Sequence, residues 1–202
     1  MKVLKFGGTS VGTVESLSHV KKIVESCTEQ VIVVVSALGG ITDKMINTAQ
    51  LASKGDIAYL ESYEYIVERH NVVIEGLVPT DKQLEVKSIV NPLLEELGNI
   101  YRGVNLIGDL SERTLDIIVS YGERLSSVII SYIITNAKHF DSRNFIKTWL
   151  TKYESSEFVS DDTILVEPNR LGGYIISSPF TGSIPVNNDF KIPVNGLIIL
   201  ER

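Results

Sequence analysis

With 202 residues, 44% of them apolar and 22% charged, the chain can bury one sizeable core, or one domain with a small appendage. A net charge of −6 without any basic block argues against a nucleic-acid surface, and the longest apolar-rich stretch, residues 128–134, is too short to span a bilayer. Glycines interrupt the N-terminus before an apolar leader region can form, and the single cysteine, Cys27, fits a reducing compartment, so a soluble cytoplasmic protein is expected.

The first element is a strand. Val3, Leu4 and Phe6 form an apolar run that carries Lys5 just before Gly7-Gly8, and the hydroxyls of Thr9 and Ser10 follow. Paired glycines let backbone N–H groups approach a phosphate closely, and a helix start beyond them adds a positive dipole end. A lysine supplies a point charge for phosphoryl oxygens. The order of residues is neither that of a Walker A loop nor G-x-G-x-x-G, and a plain tight turn reads the same way.

Val14, Leu17, Val20, Val24 and Cys27 recur at helical spacing, so residues 13–27 read as an amphipathic helix. The β-branched run Val31–Val35 has the character of a strand buried on both faces. Strand, helix and strand make a βαβ unit with two parallel strands. The second strand leads into Ser36-Ala37-Leu38-Gly39-Gly40-Ile41-Thr42-Asp43, read as a glycine loop before a helix over 42–53 with Thr42 as N-cap and Asp43 in the first turn. Ligands of open α/β sheets collect at the carboxyl ends of strands, so the two loops are expected to converge on one crevice. An ordinary βα turn with a threonine cap is the plainer alternative.

Helices are expected over 56–77 and 81–101, the latter kinked or divided at Pro92. Tyr59, Tyr63, Ile66, Leu94 and Leu97 read as helix-to-helix packing, not a ligand site. Ser111 begins a further helix of about 25 residues, which places Ser126 mid-stripe, Glu123 at the edge of the apolar face and Arg124 on the far side. A carboxylate bordering a buried face beside Gly122 can bind an ammonium group, or can be an ordinary solvated or salt-bridged glutamate. Residues 139–148 read as a short strand and turn, with Asp141 and Arg143 an ion pair or a loop tie. Beyond Trp149 short apolar runs alternate with Gly, Pro and Asn, which suggests β-structure with turns. The expected division is a domain over 1–148 and a divergent β-rich tail over 149–202 packed on it. His19, His70 and His139 lack metal-ligand spacing, so no metal site is assigned.

In this order, the segments Lys5-Phe6-Gly7-Gly8-Thr9-Ser10, Val35-Ser36-Ala37 through Gly40-Ile41-Thr42-Asp43, Gly122-Glu123, and Asp141-Ser142-Arg143 with Thr148 resemble the aspartate kinases of the amino-acid kinase family. The resemblance implies a three-layer α/β/α sandwich with a mostly parallel central sheet. It also implies ATP-dependent phosphorylation of the L-aspartate side chain to 4-phospho-L-aspartate, with Mg²⁺ bridging the nucleotide phosphates. By the same resemblance Lys5 would neutralise charge on the transferring group, and Gly7, Gly8, Thr9 and Ser10 would cradle ATP. Ser36, Thr42 and Glu123 would hold aspartate, with Glu123 facing its amino group. The family's downstream Gly-Arg-Gly-Gly-Ser-Asp segment is not found here. The expectation is therefore an incomplete nucleotide-binding half, with a non-catalytic binding or regulatory fragment, or a kinase with another acceptor, as alternatives. A sheet lacking later strands would expose an apolar edge, to be covered by the tail or by a second copy of the chain.

Overall fold

A computed structural model describes residues 2–141 and, as backbone, three short strands over 183–186, 190–193 and 197–200. The first strand, β1 (Lys2–Phe6), lies parallel to β2 (Val31–Val35) in the register Leu4↔Val33 and Phe6↔Val35, with α1 (Val14–Glu25) between them in sequence. This is the expected βαβ unit. All five residues of β2 are buried, as a β-branched run between two covered faces requires. The ladder order is β1-β2-β6-β3, where β3 is Ala137–His139 and β6 is Leu197–Leu200. Strand β6 runs antiparallel to both neighbours, so β1, β2 and β3 share one direction. Two further strands, β4 (Ser183–Val186) and β5 (Phe190–Pro193), pair antiparallel with each other.

Four helices make up most of the rest: α2 (Ile41–Ser53), α3 (Ala58–Leu77), α4 (Thr80–Ile107) and α5 (Glu112–Ile133). They pack on one another as a bundle, and α5 also lies against β2 and β3. The fold is α/β, and among the described residues there is more helix and less sheet than in a full sandwich. One apolar core runs from Leu17, Val20 and Val24 of α1 through β2 to Ile66, Leu97 and Ile129 of the bundle. The tyrosines of the expected stripe do pack helix on helix. Tyr63 stands edge-on to Tyr101 at 6.0 Å, and its hydroxyl donates to the Leu94 carbonyl at 2.7 Å.

Boundaries differ where a glycine or proline acts through three-dimensional context. Helix α4 runs unbroken through Pro92 and continues to Ile107, where Gly108 ends it at φ 71°. Pro92 is exposed, while Val90, Leu94 and Leu97 on either side are buried and hold both halves against one surface. Helix α1 ends at Glu25, so Cys27 lies just past the helix, half-buried, with its Sγ donating to the Ile23 carbonyl. Among the described residues no helix is long and apolar enough to cross a membrane. Arg143, Thr148 and most of the expected tail lie outside the described residues.

Candidate functional site

Beyond Phe6 the chain turns back on the Gly7 carbonyl, which accepts from the N–H groups of Ser10 at 2.9 Å and Val11 at 3.2 Å. It then enters α1 through a Thr13 N-cap whose hydroxyl accepts from the Ser16 N–H at 3.0 Å, while the Ser16 hydroxyl accepts from the Thr13 N–H at 2.9 Å. This reciprocal cap fixes where the helix starts. The second loop leaves β2 alongside the first, with the Ser36 N–H donating to the Phe6 carbonyl at 3.1 Å. The two loops then touch backbone to backbone. A Cβ on Gly39 would lie 2.8 Å from the Gly8 oxygen and 2.9 Å from the Gly12 Cα, distances that no side chain tolerates. In front of Gly7, by contrast, a Cβ would meet nothing within 4 Å. Gly39 is there so that the loops can meet, whereas the space before Gly7 is open. The predicted convergence of the loops holds.

Helix α5 closes the third side. A Cβ on Gly122 would fall 2.7 Å from the Ala37 Cβ, so the glycine lets α5 press onto the second loop. Ser126, fully buried, donates from its hydroxyl to the Ser36 carbonyl at 2.8 Å. Between these contacts Glu123 takes a weak hydrogen bond on Oε1 from the Ala37 N–H at 3.4 Å, while Oε2 is buried without any partner. Burial pushes the carboxyl above the ordinary carboxylate range, and the backbone N–H groups of Glu123 and Ala37 offset part of that rise. Glu123 is thus largely withdrawn from solvent and has no salt bridge among the described residues, contrary to the plainer sequence reading. Its neighbour Arg124 is not solvated either. It lies over the Tyr121 ring at 4.2 Å and reaches Glu96 at 3.8 Å.

Lys5 is exposed on β1 opposite Val34, next to the first glycine loop. Thr9 is exposed and Ser10 half-buried within that loop. Thr42 is not the N-cap of α2. Gly40 occupies that position at φ 79° and makes no side-chain cap; a left-handed glycine turns the chain two residues before Thr42 and lets Ile41 bury as the first helical residue. Thr42 therefore stands half-buried in the first turn beside Asp43, its hydroxyl not engaged in capping. The structure brings Gly7, Gly8, Ser36 and Glu123 into one contiguous set of contacts.

Two contributors were not legible in the sequence. Ala37 acts through its backbone N–H and small side chain. Arg69 of α3 donates from its guanidinium to the Gly12 carbonyl at the far end of the first loop, a contact that no local pattern signals. Among the described residues no group of three or more His, Cys, Asp or Glu converges. His139 instead lies with Nε2 3.1 Å from the Ser127 hydroxyl.

A model of the amino acid kinase family matches residues 1–161. The chain belongs to that family. Bifunctional aspartokinase/homoserine dehydrogenase 2 of Arabidopsis thaliana is 26% identical over 221 positions, taking in 99% of this chain and 24% of that protein. Aspartokinase 2 of the same plant is 30% identical over 139 positions, 68% of this chain and 25% of its own length. Among solved amino acid kinases, Escherichia coli aspartokinase III in complex with aspartate and ADP matches with a TM-score of 0.62 and 26% identity, over 73% of this chain and 32% of that one. An aspartate kinase of Clostridium acetobutylicum, 23% identical with a TM-score of 0.56, shares the fold. This amino acid kinase chain spans about a quarter of the length of the plant relatives. Its relatives are kinase-type phosphotransferases, as the order of the sequence motifs implied.

Proposed function

We propose that the chain carries the aspartate- and phosphate-contacting part of an ATP-dependent aspartate kinase. In this reading the γ-phosphoryl group of ATP passes to the side-chain carboxylate of L-aspartate, giving 4-phospho-L-aspartate and ADP. The observation that carries it is the Glu123 carboxylate, with one oxygen buried and unpartnered, where α5 meets the two glycine loops. An α-ammonium group brings the N–H donors and the positive charge that this oxygen lacks. The complex of E. coli aspartokinase III with aspartate and ADP supports the same choice of ligands.

An aspartate carboxylate is already ionised at neutral pH, so no general base is required. What the chain must supply is alignment and compensation of charge. The open space before Gly7 suits close approach of a phosphate to the loop backbone, and the loop runs into the positive end of α1. Thr9 and Ser10 add hydroxyl donors, and Lys5 adds a cation for the transferring group. Mg²⁺ supplies charge neutralisation on the nucleotide phosphates when bound, and the loop's donors fit the phosphate end of such a complex. Thr42, with its hydroxyl not used as a cap, and Ser36 are assigned to the aspartate side. The single cysteine supports a reducing compartment such as the cytoplasm.

Titrating the full chain with Mg·ATP by calorimetry, followed by an assay for ADP release with and without L-aspartate, tests the reading. Micromolar binding with aspartate-dependent release is expected. Binding without release would favour a non-catalytic unit, and absence of binding would overturn the nucleotide assignment.

A further inference from the structure

We propose that Arg69 is a positioning residue that holds the first glycine loop in the shape a phosphate requires. The proposal rests on the nucleotide reading above for its purpose, but its geometry is independent of any ligand. Arg69 sits half-buried on α3, far from the loop in sequence, and its guanidinium donates to the Gly12 carbonyl. Gly12 is the last loop residue before the Thr13 N-cap, so its peptide sets the angle at which the loop enters α1.

Three features make this contact more than incidental packing. First, the loop is otherwise held by few bonds. Among the described residues its internal ties are the two bonds to the Gly7 carbonyl, and Gly7, Gly8 and Gly12 are the residues least able to restrict their own backbone. Second, Gly12 faces Gly39 closely, a Cβ on Gly12 lying 3.6 Å from the Gly39 Cα. Fixing the Gly12 peptide therefore fixes the seam between the two loops as well. Third, no carboxylate among the described residues pairs with Arg69. A half-buried guanidinium usually takes a carboxylate partner, and here its partner is a loop carbonyl. Among the described residues no carboxylate offsets its charge beside the loop assigned to an anion, and a charge-assisted hydrogen bond is stronger than a neutral one. A second tie from the same helix has the same sense: Gly76 of α3 lies against Val14 at the start of α1, where a Cβ would be 3.2 Å from Val14 Cγ2. Helix α3 is thus the backing on which the loop-to-helix junction rests.

The test compares the full chain with Arg69→Met, which keeps an apolar stem of similar length, and Arg69→Lys, which restores one charged donor. The first readout is amide hydrogen exchange at Ser10 and Val11. Arg69→Met should raise exchange there about tenfold or more, as expected when a local opening becomes easier by the worth of one charge-assisted bond. Exchange in the bundle, at Val90 or Leu97, should not change, and Arg69→Lys should recover most of the protection. Unchanged exchange at Ser10 and Val11 in a folded Arg69→Met protein overturns the proposal, as does a loss that spreads equally over the bundle. The second readout is Mg·ATP affinity, expected to fall with loop protection and to recover with lysine. If the unmodified chain binds no Mg·ATP while the exchange result holds, the nucleotide reading fails and the positioning role stands. If affinity is intact despite an unprotected loop, the loop's shape is not what binding needs and the proposal falls.

Discussion

Two regions of this chain bury polar groups, and they treat them in opposite ways. Inside the helical bundle, Thr48 and Ser62 share a hydrogen bond of 2.6 Å, and Tyr101 donates to the Met45 carbonyl at 3.2 Å. One atom is left over, Nε2 of the fully buried His70, and the surroundings hold that ring neutral by pushing its pKa down to about 4. In the crevice the leftover atom is Oε2 of Glu123. A neutral imidazole nitrogen without a partner costs about 1–3 kcal/mol, less than an unpaired charge. A carboxylate oxygen without one is expensive unless a cation arrives. Buried orphans of similar appearance thus carry different meanings: the one in the bundle is tolerated, and the one in the crevice asks for a ligand.

That contrast predicts which mutations cost activity and which cost stability. The largest effect is expected at Lys5, exposed beside the loop. Lys5→Ala should lower kcat by about 100-fold or more with little change in the urea midpoint or in aspartate affinity, and comparable activity would remove Lys5 from its assigned role. In the bundle the expected effect is on pH stability. Unfolded histidine titrates near 6.5 whereas His70 titrates at about 4, so between those values the unfolded chain holds a proton that the folded chain does not. Stability should fall as pH drops through that window, by up to about 3 kcal/mol. His70→Leu should flatten this slope in urea titrations at pH 4 to 7, while an unchanged slope would place the acid sensitivity elsewhere.

Gly39 is where the contrast should blur, because its contact is both structural and part of the crevice. Gly39→Ala is expected to destabilise by about 1–3 kcal/mol and also to weaken Mg·ATP binding, since the new Cβ would force the loops apart. A loss of stability with unaltered binding would separate the seam from the site. A small effect on stability is also expected at Glu123, and its sign is informative. Because burial raises the folded pKa, the ionised form costs stability as pH rises above the unfolded value. Glu123→Gln should therefore leave the ligand-free protein as stable at pH 7 as the parent, or slightly more so, while aspartate affinity falls by about tenfold or more. A drop in stability would mean that Glu123 has a structural cation partner.

The parts legible in the sequence were those whose cause is local. Paired glycines after a strand, a β-branched run and the stripe of α5 each announce themselves through short-range pattern. Glu123 could be placed at the edge of that stripe, but its unpartnered oxygen depends on Ala37, a residue from another element. Thr42 was misread as a cap because nothing local reveals that Gly40 adopts φ 79° and starts the helix early. Arg69 was missed for a similar reason: its partner lies on a different element and is a backbone carbonyl, which has no sequence signature.

The antiparallel strand β6 has a consequence for how the chain reaches this state. Ile199 pairs with Ile32, so one of the sheet's inner ladders joins segments far apart in the sequence. Local helices and the β1–α1–β2 unit close only short loops, whereas that ladder must close a very long one. During the interval the second edge of the apolar strand β2 stands open to any extended segment that meets it. Closing that edge is slow compared with the local elements, and until it closes a faulty pairing competes with the native one.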